Sequence, residues 1–355
     1  MKSTLISLVK SSQLKAKPDV NTLGFGKYFT DHMFTAQFSA EKGWHAASVS
    51  PYKGFEIDPG ASVLHYGQAL FEGMKAFRQE NGKIVLFRPE FNWQRMVTGA
   101  DRLCMEAPPK ELFLNGIKEL VRIDESWIPN QPGSLYIRPT LIGTEAFLGV
   151  RPSNEILFFV ILSPVSSYYA EGSAPIRIWV ETKYLRAAPG GLGSTKAAAN
   201  YAVSLKAAQE AKKKGYSQVL WLDHTRENIE EVGTMNVFFV FDNEIVTPSL
   251  DGTILGGGVR DSVIQLLKSW NLPIKERKLK LSEVLTASKN GTLKEAFGTG
   301  TAAVISPIGE LGSDSWKIEL AKDGKQGELS QKIYDELTGV QYGHRADKLG
   351  WLQPL

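Results

Sequence analysis

A single lysine, Lys196, lies in the stretch GGLGSTKAAANY, between a glycine-rich segment and a run of alanines. Small side chains leave room around an amine, and they keep water from it if other segments pack over it. Loss of water lowers the pKa of a lysine, because water stabilises its charged form. A neutral amine is a nucleophile, and enzymes commonly use it to form a Schiff base with an aldehyde. The stretch therefore predicts covalent chemistry at Lys196.

Two further glycine-rich segments, LGGGVR and GTGTA, are suited to phosphate binding. A glycine turn that opens a helix presents backbone N–H groups, and the positive end of the helix dipole attracts an anion. Gly258 and Val259 can offer amides in the first segment, and Thr301 can offer its amide and hydroxyl in the second. Each segment taken alone is more typical of a tight turn whose glycines adopt positive φ.

Known nucleotide motifs do not fit these segments. A phosphate loop requires glycine before the lysine and Ser or Thr after it, whereas Thr195 and Ala197 flank Lys196. A GxGxxG fingerprint beginning at Gly256 fails because Asp261 occupies its last position. GTGTAA ends in an alanine that some versions of the fingerprint allow, but no helix clearly follows it. A dinucleotide site is therefore not predicted.

A reactive lysine together with phosphate-binding turns indicates pyridoxal 5′-phosphate (PLP). This cofactor needs a carboxylate at its ring nitrogen, which keeps the ring protonated and able to accept electrons. Glu231 stands beside the apolar stretch VGTMNVFF, where a buried carboxylate needs a positive partner. Glu227 and Glu230 fit a solvated run of charges. The sequence predicts Glu231 as the partner of the ring nitrogen.

Taken together, the motifs resemble those of the branched-chain amino acid aminotransferases, which are PLP enzymes of fold type IV in the class IV aminotransferase family. The matching stretches occur in the family's order and with similar spacing, mostly from about residue 60 to about residue 310, and the match is best to the longer version of the family. They are LHYGQALFEGMKAFR, NWQRM, LYIRPTLIGTEAFLGV, SPVSSYY, GGLGSTKAAANYA, QVLWLD, EEVGTMNVFFV, DGTILGGGVRDSV and AFGTGTAAVISPIG. The resemblance implies reversible, ping-pong transamination of L-leucine, L-isoleucine and L-valine with 2-oxoglutarate, giving branched-chain 2-oxo acids and L-glutamate.

The resemblance also assigns the cofactor site. Lys196 would be the catalytic residue, carrying PLP and later moving a proton from the substrate Cα to the cofactor C4′. Arg95 would bind the phosphate, Tyr201 the phenolic oxygen and Glu231 the ring nitrogen. The implied cofactor-binding set is Arg95, Lys196, Tyr201, Glu231, Gly258, Val259 and Thr301.

The same resemblance implies a substrate pocket. No metal site is predicted. The amides of Thr301 and Ala302 would bind the substrate carboxylate. Arg138 interrupts an apolar strand, where an unpartnered charge is costly, so we expect a hydrogen-bonded network or an anionic ligand beside it. The implied substrate-binding set is Tyr66, Phe71, Tyr136, Arg138, Tyr168, Thr234, Thr301, Ala302, Leu148 and Val150.

Leu148 and Val150, in FLGV, would reach the pocket of a neighbouring subunit, which implies a homodimer with room for higher assembly. Other fold type IV enzymes, a D-amino acid aminotransferase or an aminodeoxychorismate lyase, are the alternatives. The long LYIRPTLIGTEAFLGV match and the chain length argue against both. A non-catalytic PLP-binding protein is a further alternative. The joint presence of Lys196, Tyr201 and Glu231 argues against it.

Composition is that of a soluble globular protein. The chain has 355 residues, of which 22% are charged and 43% hydrophobic, and its net charge of +3 is too small to predict nucleic acid or a membrane as partner. Cys104 is the single cysteine, so no internal disulfide is possible and a reducing, cytoplasmic location is expected. Lys10 interrupts the short apolar stretch at the N-terminus, so no secretory signal is predicted.

The elements that must position these residues can be predicted in outline. SLYIRPTLIG and EILFFVILSPV are predicted strands, NVFFVFDNEIVTP a hairpin, and the region from Ala197 to Lys214 a helix. YGQALFEGMKAF fits either a helix or a strand. The expected fold is a two-domain α/β protein with mixed α+β sheets and PLP at the domain interface. Residues 1–165 form a small α/β domain, 166–175 an interdomain loop, and 176–355 a large domain carrying the lysine.

Overall fold

The computed structural model describes residues 5–166, 174–321 and 324–355. Within them the chain forms two compact units. The first consists of residues 5–166, Thr195–Ala199 and Gly339–Leu355, and the second of residues 174–194 and Asn200–Thr338. No described helix is both long and apolar enough to cross a membrane.

The short segment Thr195–Ala199 belongs by its contacts to the first unit, as does the C-terminal segment Gly339–Leu355. The sequence-based assignment places both segments in the C-terminal domain. Most of the expected interdomain loop, residues 167–173, lies outside the described residues. The domain limits given above therefore stay a prediction.

The first unit is built on a mixed sheet of nine described strands in the order β1-β3-β2-β8-β7-β5-β6-β18, with β4 beside β7. Its elements are β1 (Ser7–Leu8), a 3₁₀ turn (Val20–Thr22), β2 (His32–Ser39), β3 (Gly43–Pro51), α1 (Ser62–Tyr66), β4 (Ala69–Phe71), β5 (Met74–Arg78), β6 (Ile84–Phe87), α2 (Pro89–Arg102), α3 (Lys110–Ile123), a second 3₁₀ turn (Glu125–Trp127), β7 (Ser134–Gly143), β8 (Glu155–Val165) and β18 (Leu352–Pro354).

This sheet has one apolar face and one charged face, because alternate residues of a strand point to opposite sides. The odd-numbered apolar residues of β7 lie in the hydrophobic core, to which α2 and α3 also contribute. Tyr136 and Arg138 are even-numbered and point to the other side. Lys75 pairs with Tyr136 across β5 and β7, and Phe71 pairs with another even-numbered residue of β7. We call this side, defined by Phe71, Lys75, Tyr136 and Arg138, the charged face.

The second unit is built on another mixed sheet of nine described strands, in the order β11-β10-β9-β16-β15-β12-β13-β14, with β17 beside β16. The elements that lie wholly or mostly in it are β9 (Ile176–Val180), α4 (Ala198–Lys213), β10 (Gln218–Leu222), β11 (Ile229–Val232), β12 (Asn236–Phe241), β13 (Ile245–Thr247), α5 (Gly258–Ser269), β14 (Ile274–Glu276), α6 (Leu281–Lys289), β15 (Leu293–Gly300), β16 (Val304–Gly312), β17 (Lys317–Glu319) and α7 (Glu328–Tyr342).

The predicted class, α and β structure with mixed sheets, is confirmed. The two predicted apolar strands are β7 and β8, the predicted hairpin is β12–β13, and the predicted helix is α4. The ambiguous stretch YGQALFEGMKAF contains the end of α1 followed by β4 and β5. Gly67 ends the helix in the left-handed conformation, with φ of +62°, and the chain then continues as strand.

The charged face places a lysine where water hardly reaches it. Lys75 is 7% exposed, and burial lowers its pKa to about 8 from an ordinary value of 10.5. In the unfolded chain the same lysine holds its proton up to the ordinary value. Between these two pH values the unfolded state therefore binds more protons, and stability rises with pH.

Replacing this charge, as in Lys75→Met, is expected to stabilise the protein by up to about 3 kcal/mol at about pH 7. The gain should shrink as pH rises through the window between about 8 and 10.5, because the native lysine is neutral at the upper end. Urea unfolding at about pH 7 and about pH 10 measures the difference. The exposed Lys83→Met is the matched control, and equal effects of the two substitutions at both pH values would contradict the expectation.

Candidate active site

Lys196 is anchored by its own backbone. The amide of Phe71 donates a hydrogen bond to the Lys196 carbonyl at 3.2 Å, and Leu70 and Ala197 form an antiparallel bridge beside it. Ala197 is 1% exposed, so the position after the lysine has no room for a large side chain. The Lys196 nitrogen lies 4.8 Å from the centre of the Phe71 ring. A short backbone ladder to β4 thus places the amine at the charged face.

The surroundings of the Lys196 amine lower its pKa to about 8. Burial is the largest cause, since it removes the water that stabilises an ammonium. The Arg95 and Arg138 guanidiniums lower the pKa further by repulsion, whereas Glu72 and Tyr136 raise it. With this pKa, about a tenth of the amine is neutral at about pH 7. The lysine can therefore act as a nucleophile or a base near neutral pH.

Arg95 is held by a carboxylate that the sequence analysis missed. Its Nε and Nη2 atoms each lie 2.7 Å from an oxygen of Glu72, which makes a bidentate ion pair. The Glu72 side chain is fully buried, and its Oε2 also accepts a hydrogen bond from Asn92 Nδ2 at 2.7 Å. Such pairing fixes the plane of the guanidinium. The signal available in the sequence was a glutamate inside the apolar run ALFEGM, where a charge needs a partner.

Arg138 lies on the charged face among aromatic rings. Its Nη2 donates a hydrogen bond to the Tyr136 hydroxyl at 2.9 Å, and its guanidinium carbon lies 4.5 Å from the centre of the Phe71 ring. Its buried Nε has no hydrogen-bond partner among the described residues. Gly73 permits this arrangement, because a Cβ there would lie 2.1 Å from the Tyr136 hydroxyl. The group offers an oriented cation with a spare N–H, which suits a carboxylate.

Three other predicted pocket residues lie near the loop between β7 and β8. The Tyr66 hydroxyl, at the end of α1, donates a hydrogen bond to the Leu148 carbonyl. The Leu148 and Val150 side chains are 65% and 84% exposed, so the chain by itself leaves them in water. Tyr168, also predicted to line the pocket, lies outside the described residues.

Glu231 lies on β11 in the second unit and is 3% exposed. Its Oε1 accepts a hydrogen bond from the Leu255 amide at 2.8 Å and lies 3.2 Å from Nη2 of Arg186. Asn236 Nδ2 donates to the Leu255 carbonyl at 2.8 Å. The Leu255 backbone is thus held at both polar groups, which fixes the turn that precedes α5. The sequence analysis predicted a role for Glu231 and named neither Arg186 nor Asn236.

The turn leads into α5, whose first residues are Gly258 and Val259. The N-cap of this helix is Gly257, whose φ is −78° and which has no side chain of its own to cap the helix. The alternative of a turn that needs positive φ is therefore wrong for Gly257. Glycine is required there for another reason, since a Cβ would lie 2.0 Å from Asn236 Oδ1. The helix start, with its amides and dipole, is suited to an anion such as a phosphate.

The remaining predicted residues lie on other elements of the second unit. Thr301 and Ala302 form the turn between β15 and β16, which ends at Val304 with φ of +63°. A β-branched residue in this conformation costs about 1–3 kcal/mol and persists only where its surroundings impose it. Thr234 is exposed between β11 and β12, and Tyr201 is half-buried on α4.

The structure therefore assembles two groups of predicted residues. The first places Phe71, Arg95, Tyr136 and Arg138, with the buried Glu72, around the amine of Lys196. The second gathers Glu231, Gly258 and Val259 along one turn. The role of each residue toward a cofactor or substrate stays a prediction.

Comparison with known proteins shows which family the chain matches. The family model for amino-transferase class IV matches residues 69–311. Branched-chain-amino-acid aminotransferase 2 of Bacillus subtilis is 52% identical over 355 residues, covering 99% of this chain and 97% of the relative.

Two solved structures extend the likeness to the fold. The branched-chain amino acid aminotransferase of Escherichia coli has a TM-score of 0.74 and 26% identity, covering 91% of this chain and 98% of that chain. The T.th. enzyme of the same name, with pyridoxamine 5′-phosphate, has a TM-score of 0.74 and 26% identity, covering 90% and 97%. The family model spans more than half of the chain, and the Bacillus relative matches nearly all of it. The resemblance seen in the motifs is thus confirmed, and the chain belongs to the class IV aminotransferase family, among the branched-chain-amino-acid aminotransferases.

Proposed function

We propose that this protein catalyses reversible, ping-pong transamination of L-leucine, L-isoleucine and L-valine with 2-oxoglutarate, giving branched-chain 2-oxo acids and L-glutamate. The observation that carries the proposal is the Lys196 amine, with a pKa of about 8 at the charged face. It occurs in a chain that is 52% identical to a branched-chain-amino-acid aminotransferase. Structures of the T.th. relative contain pyridoxamine 5′-phosphate or N-(5′-phosphopyridoxyl)-L-glutamate, which supports glutamate as the second amino acid.

The residues present fit PLP, the cofactor that class IV aminotransferases use. The amine of Lys196 can form the covalent link, and Arg95 supplies a cation for the phosphate. The start of α5 supplies backbone amides at Gly258 and Val259 and requires a glycine at its cap. We assign the phosphate to these groups with Thr301, the ring nitrogen to Glu231, and the phenolic oxygen to Tyr201.

When bound, PLP supplies an aldehyde carbon for the exchange of amines and a protonated ring that withdraws electrons from the substrate Cα. Lys196 would hold the cofactor through its neutral amine. The same amine, once free, would act as the base that moves the proton of the substrate Cα. Proton transfer is most efficient when the pKa of the base lies near the working pH, and a pKa of about 8 meets that condition. The Glu231 carboxylate would hold the proton on the ring nitrogen.

The substrate is recognised at two ends. We assign its α-carboxylate to the amides of Thr301 and Ala302, and the second carboxylate of glutamate to Arg138 with Tyr136. The spare Nε of Arg138 supports this assignment. We assign the branched side chains to a pocket that includes the rings of Tyr66 and Phe71. Because one methylene is worth about 1–3 kcal/mol in such a pocket, activity on the three amino acids should overlap.

A homodimer is part of the proposal. Leu148 and Val150 project into water from the loop between β7 and β8, and a second subunit would cover them. Apolar side chains exposed together mark an interaction surface more often than an isolated one does. PLP at the domain interface and a cytoplasmic location stay predictions.

The reaction can be tested with a panel of amino donors. With PLP and 2-oxoglutarate, the protein is expected to form L-glutamate from L-leucine, L-isoleucine and L-valine but not from their D enantiomers. Lys196→Ala should lose the covalent link and at least about 10³-fold in kcat, because it removes both the nucleophile and the base. Glutamate assay and borohydride trapping measure the two effects. Lys206→Ala, on the exposed side of α4, is the matched control.

Two outcomes would contradict the proposal in different ways. Glutamate formed from D-amino acids would favour a D-amino acid aminotransferase. Bound PLP whose absorbance does not respond to L-leucine would favour a non-catalytic binding protein.

The Glu72–Arg95 pair gives a second test. Glu72→Gln is expected to weaken PLP binding about tenfold, because Arg95 loses the charge-assisted bonds that fix its plane. It should also bring the pKa of Lys196 below about 8, since the charge of Glu72 raises it. PLP titration and the pH dependence of amine acylation in cofactor-free protein measure these changes. Glu90→Gln breaks an exposed ion pair with Lys110 at the start of the helix that carries Arg95 and should change neither quantity. If PLP affinity and the pKa of Lys196 stay unchanged in Glu72→Gln, the role assigned to Glu72 in fixing Arg95 is contradicted.

Gly73 gives a third test. Gly73→Ala is expected to raise KM for 2-oxoglutarate about tenfold, because its Cβ would displace the Tyr136 hydroxyl that orients Arg138. PLP affinity should change little. Gly54→Ala, whose Cβ would meet nothing within 4 Å, is the control. Steady-state kinetics with each substrate measure these changes. An unchanged KM for 2-oxoglutarate in Gly73→Ala would contradict the assignment of the second carboxylate to Arg138 and Tyr136.

A further inference from the structure

A buried arginine, Arg186, joins Glu231 to the glycine-rich segment that precedes Lys196. Its side chain is 8% exposed. Its Nη2 donates hydrogen bonds to the carbonyl of Gly193, at 3.1 Å, and to that of Thr253, and lies 3.2 Å from Glu231 Oε1. A Cβ at Gly193 would lie 2.2 Å from the Thr253 carbonyl oxygen, so the two segments meet backbone to backbone. One guanidinium therefore holds two loops and a carboxylate together.

A second acid, Glu230, lies beside Glu231. The pairing of β10 with β11 shifts register between Trp221 and Leu222, and the extra residue of this bulge is Glu230. A bulge re-aims a side chain that would otherwise point to the opposite face. Glu230 is 4% exposed, and its Oε2 has no hydrogen-bond partner among the described residues. Burial raises its pKa most, and a side-chain hydrogen bond with Thr253 is the largest opposing effect. The charge of Arg186 also lowers this pKa, and the charge of Glu231 raises it.

Two more charged groups act on this pair from other segments. Arg260 of α5 binds the Pro248 carbonyl at 2.9 Å and the Glu276 carboxylate at 3.0 Å, and Glu231 raises its pKa against the larger effect of burial. Asp251 lies in the loop before α5 and raises the pKa of Glu230. Arg186 differs from Arg260 in touching the Glu231 carboxylate directly.

We propose that Arg186 is a positioning residue that keeps Glu231 ionised and aimed, so that this carboxylate can pair with the protonated ring nitrogen of the cofactor. The inference rests on the proposed function, because that function gives Glu231 its task. Two neighbouring buried acids share a proton unless a cation neutralises them. A protonated Glu231 is neutral and cannot hold the ring proton by charge. The loop contacts of Arg186 explain why the cation stays in place.

The test compares PLP affinity as a function of pH in four proteins. Arg186→Gln removes the positive charge. Arg186→Lys keeps a positive charge but loses the planar guanidinium group with its several N–H donors. Arg226→Gln is the matched control, since Arg226 also donates to two carbonyls, at 3.0 Å each, in the same unit. Quenching of tryptophan fluorescence by added PLP, from about pH 5 to about pH 8, gives the dissociation constant.

In wild type, affinity should fall below about pH 8 as the Lys196 amine takes up a proton, and fall again at lower pH as Glu231 takes one up. In Arg186→Gln the second fall should move to higher pH by about one unit or more, while the first stays in place. Arg186→Lys and Arg226→Gln should stay close to wild type. The inference is overturned if Arg186→Gln keeps the wild-type pH dependence of PLP affinity, or if Arg186→Lys shifts that dependence as far as Arg186→Gln does. In either case Arg186 would only hold the two loops together.

A second variant covers the case in which Arg186→Gln does not fold. Glu230→Gln removes the neighbouring acid and should move the second fall in affinity to lower pH, and an unchanged profile would overturn the inference. Failure of the proposed function looks different, because wild type would then either bind no PLP at any pH or bind PLP without forming glutamate from L-leucine.

Discussion

The backbone hydrogen bond from Phe71 to the Lys196 carbonyl is the contact on which the rest of the site depends. A lysine side chain is long and flexible, so its backbone position decides which groups its amine can meet. The bridge beside this bond ties the lysine to β4, although about 125 residues separate the two in the chain. The low pKa of the amine follows from that placement. A lysine at the same point of the sequence without this bridge would keep its water and its charge.

The charged face gathers more positive than negative charge. Lys75, Lys196 and Arg138 lie on or at it, Arg95 stands close enough to act on Lys196, and Glu72 is the acid that offsets them. Gathering buried cations at one place costs free energy, and proteins keep such groups where an anion binds. Phosphate and carboxylates are the anions of a transamination. The excess of positive charge is therefore what a site for several anionic groups requires, and it explains why the amine of Lys196 becomes easier to deprotonate there.

The sequence predicted the strands, the hairpin and helix α4 because their signals are local. It also predicted Lys196 and Glu231, because each stands beside apolar or small residues where its type is unusual. It missed Glu72 and Arg186, whose meaning depends on partners far away in the chain. Nothing in the spacing of Glu72 and Arg95 predicts a bidentate pair, and the bulge that contains Glu230 arises only when β10 and β11 pair. Contacts between distant segments are a property of the folded chain.

The glycine-rich motifs acquire a different meaning once the fold is known. Glycine is usually explained by positive φ, yet Gly73, Gly193 and Gly257 are not among the left-handed glycines of the described chain. At each position a Cβ would lie within 2.2 Å of a hydroxyl, a carbonyl or an amide oxygen. These glycines are needed because the chain approaches a polar group so closely that no side chain fits. The close approach at Gly73 orients Tyr136, and the one at Gly193 lets the two loops that Arg186 binds meet. The one at Gly257 fixes the start of α5. A glycine of this kind marks where a polar group is held in a fixed position, because any side chain at that point would push the group away.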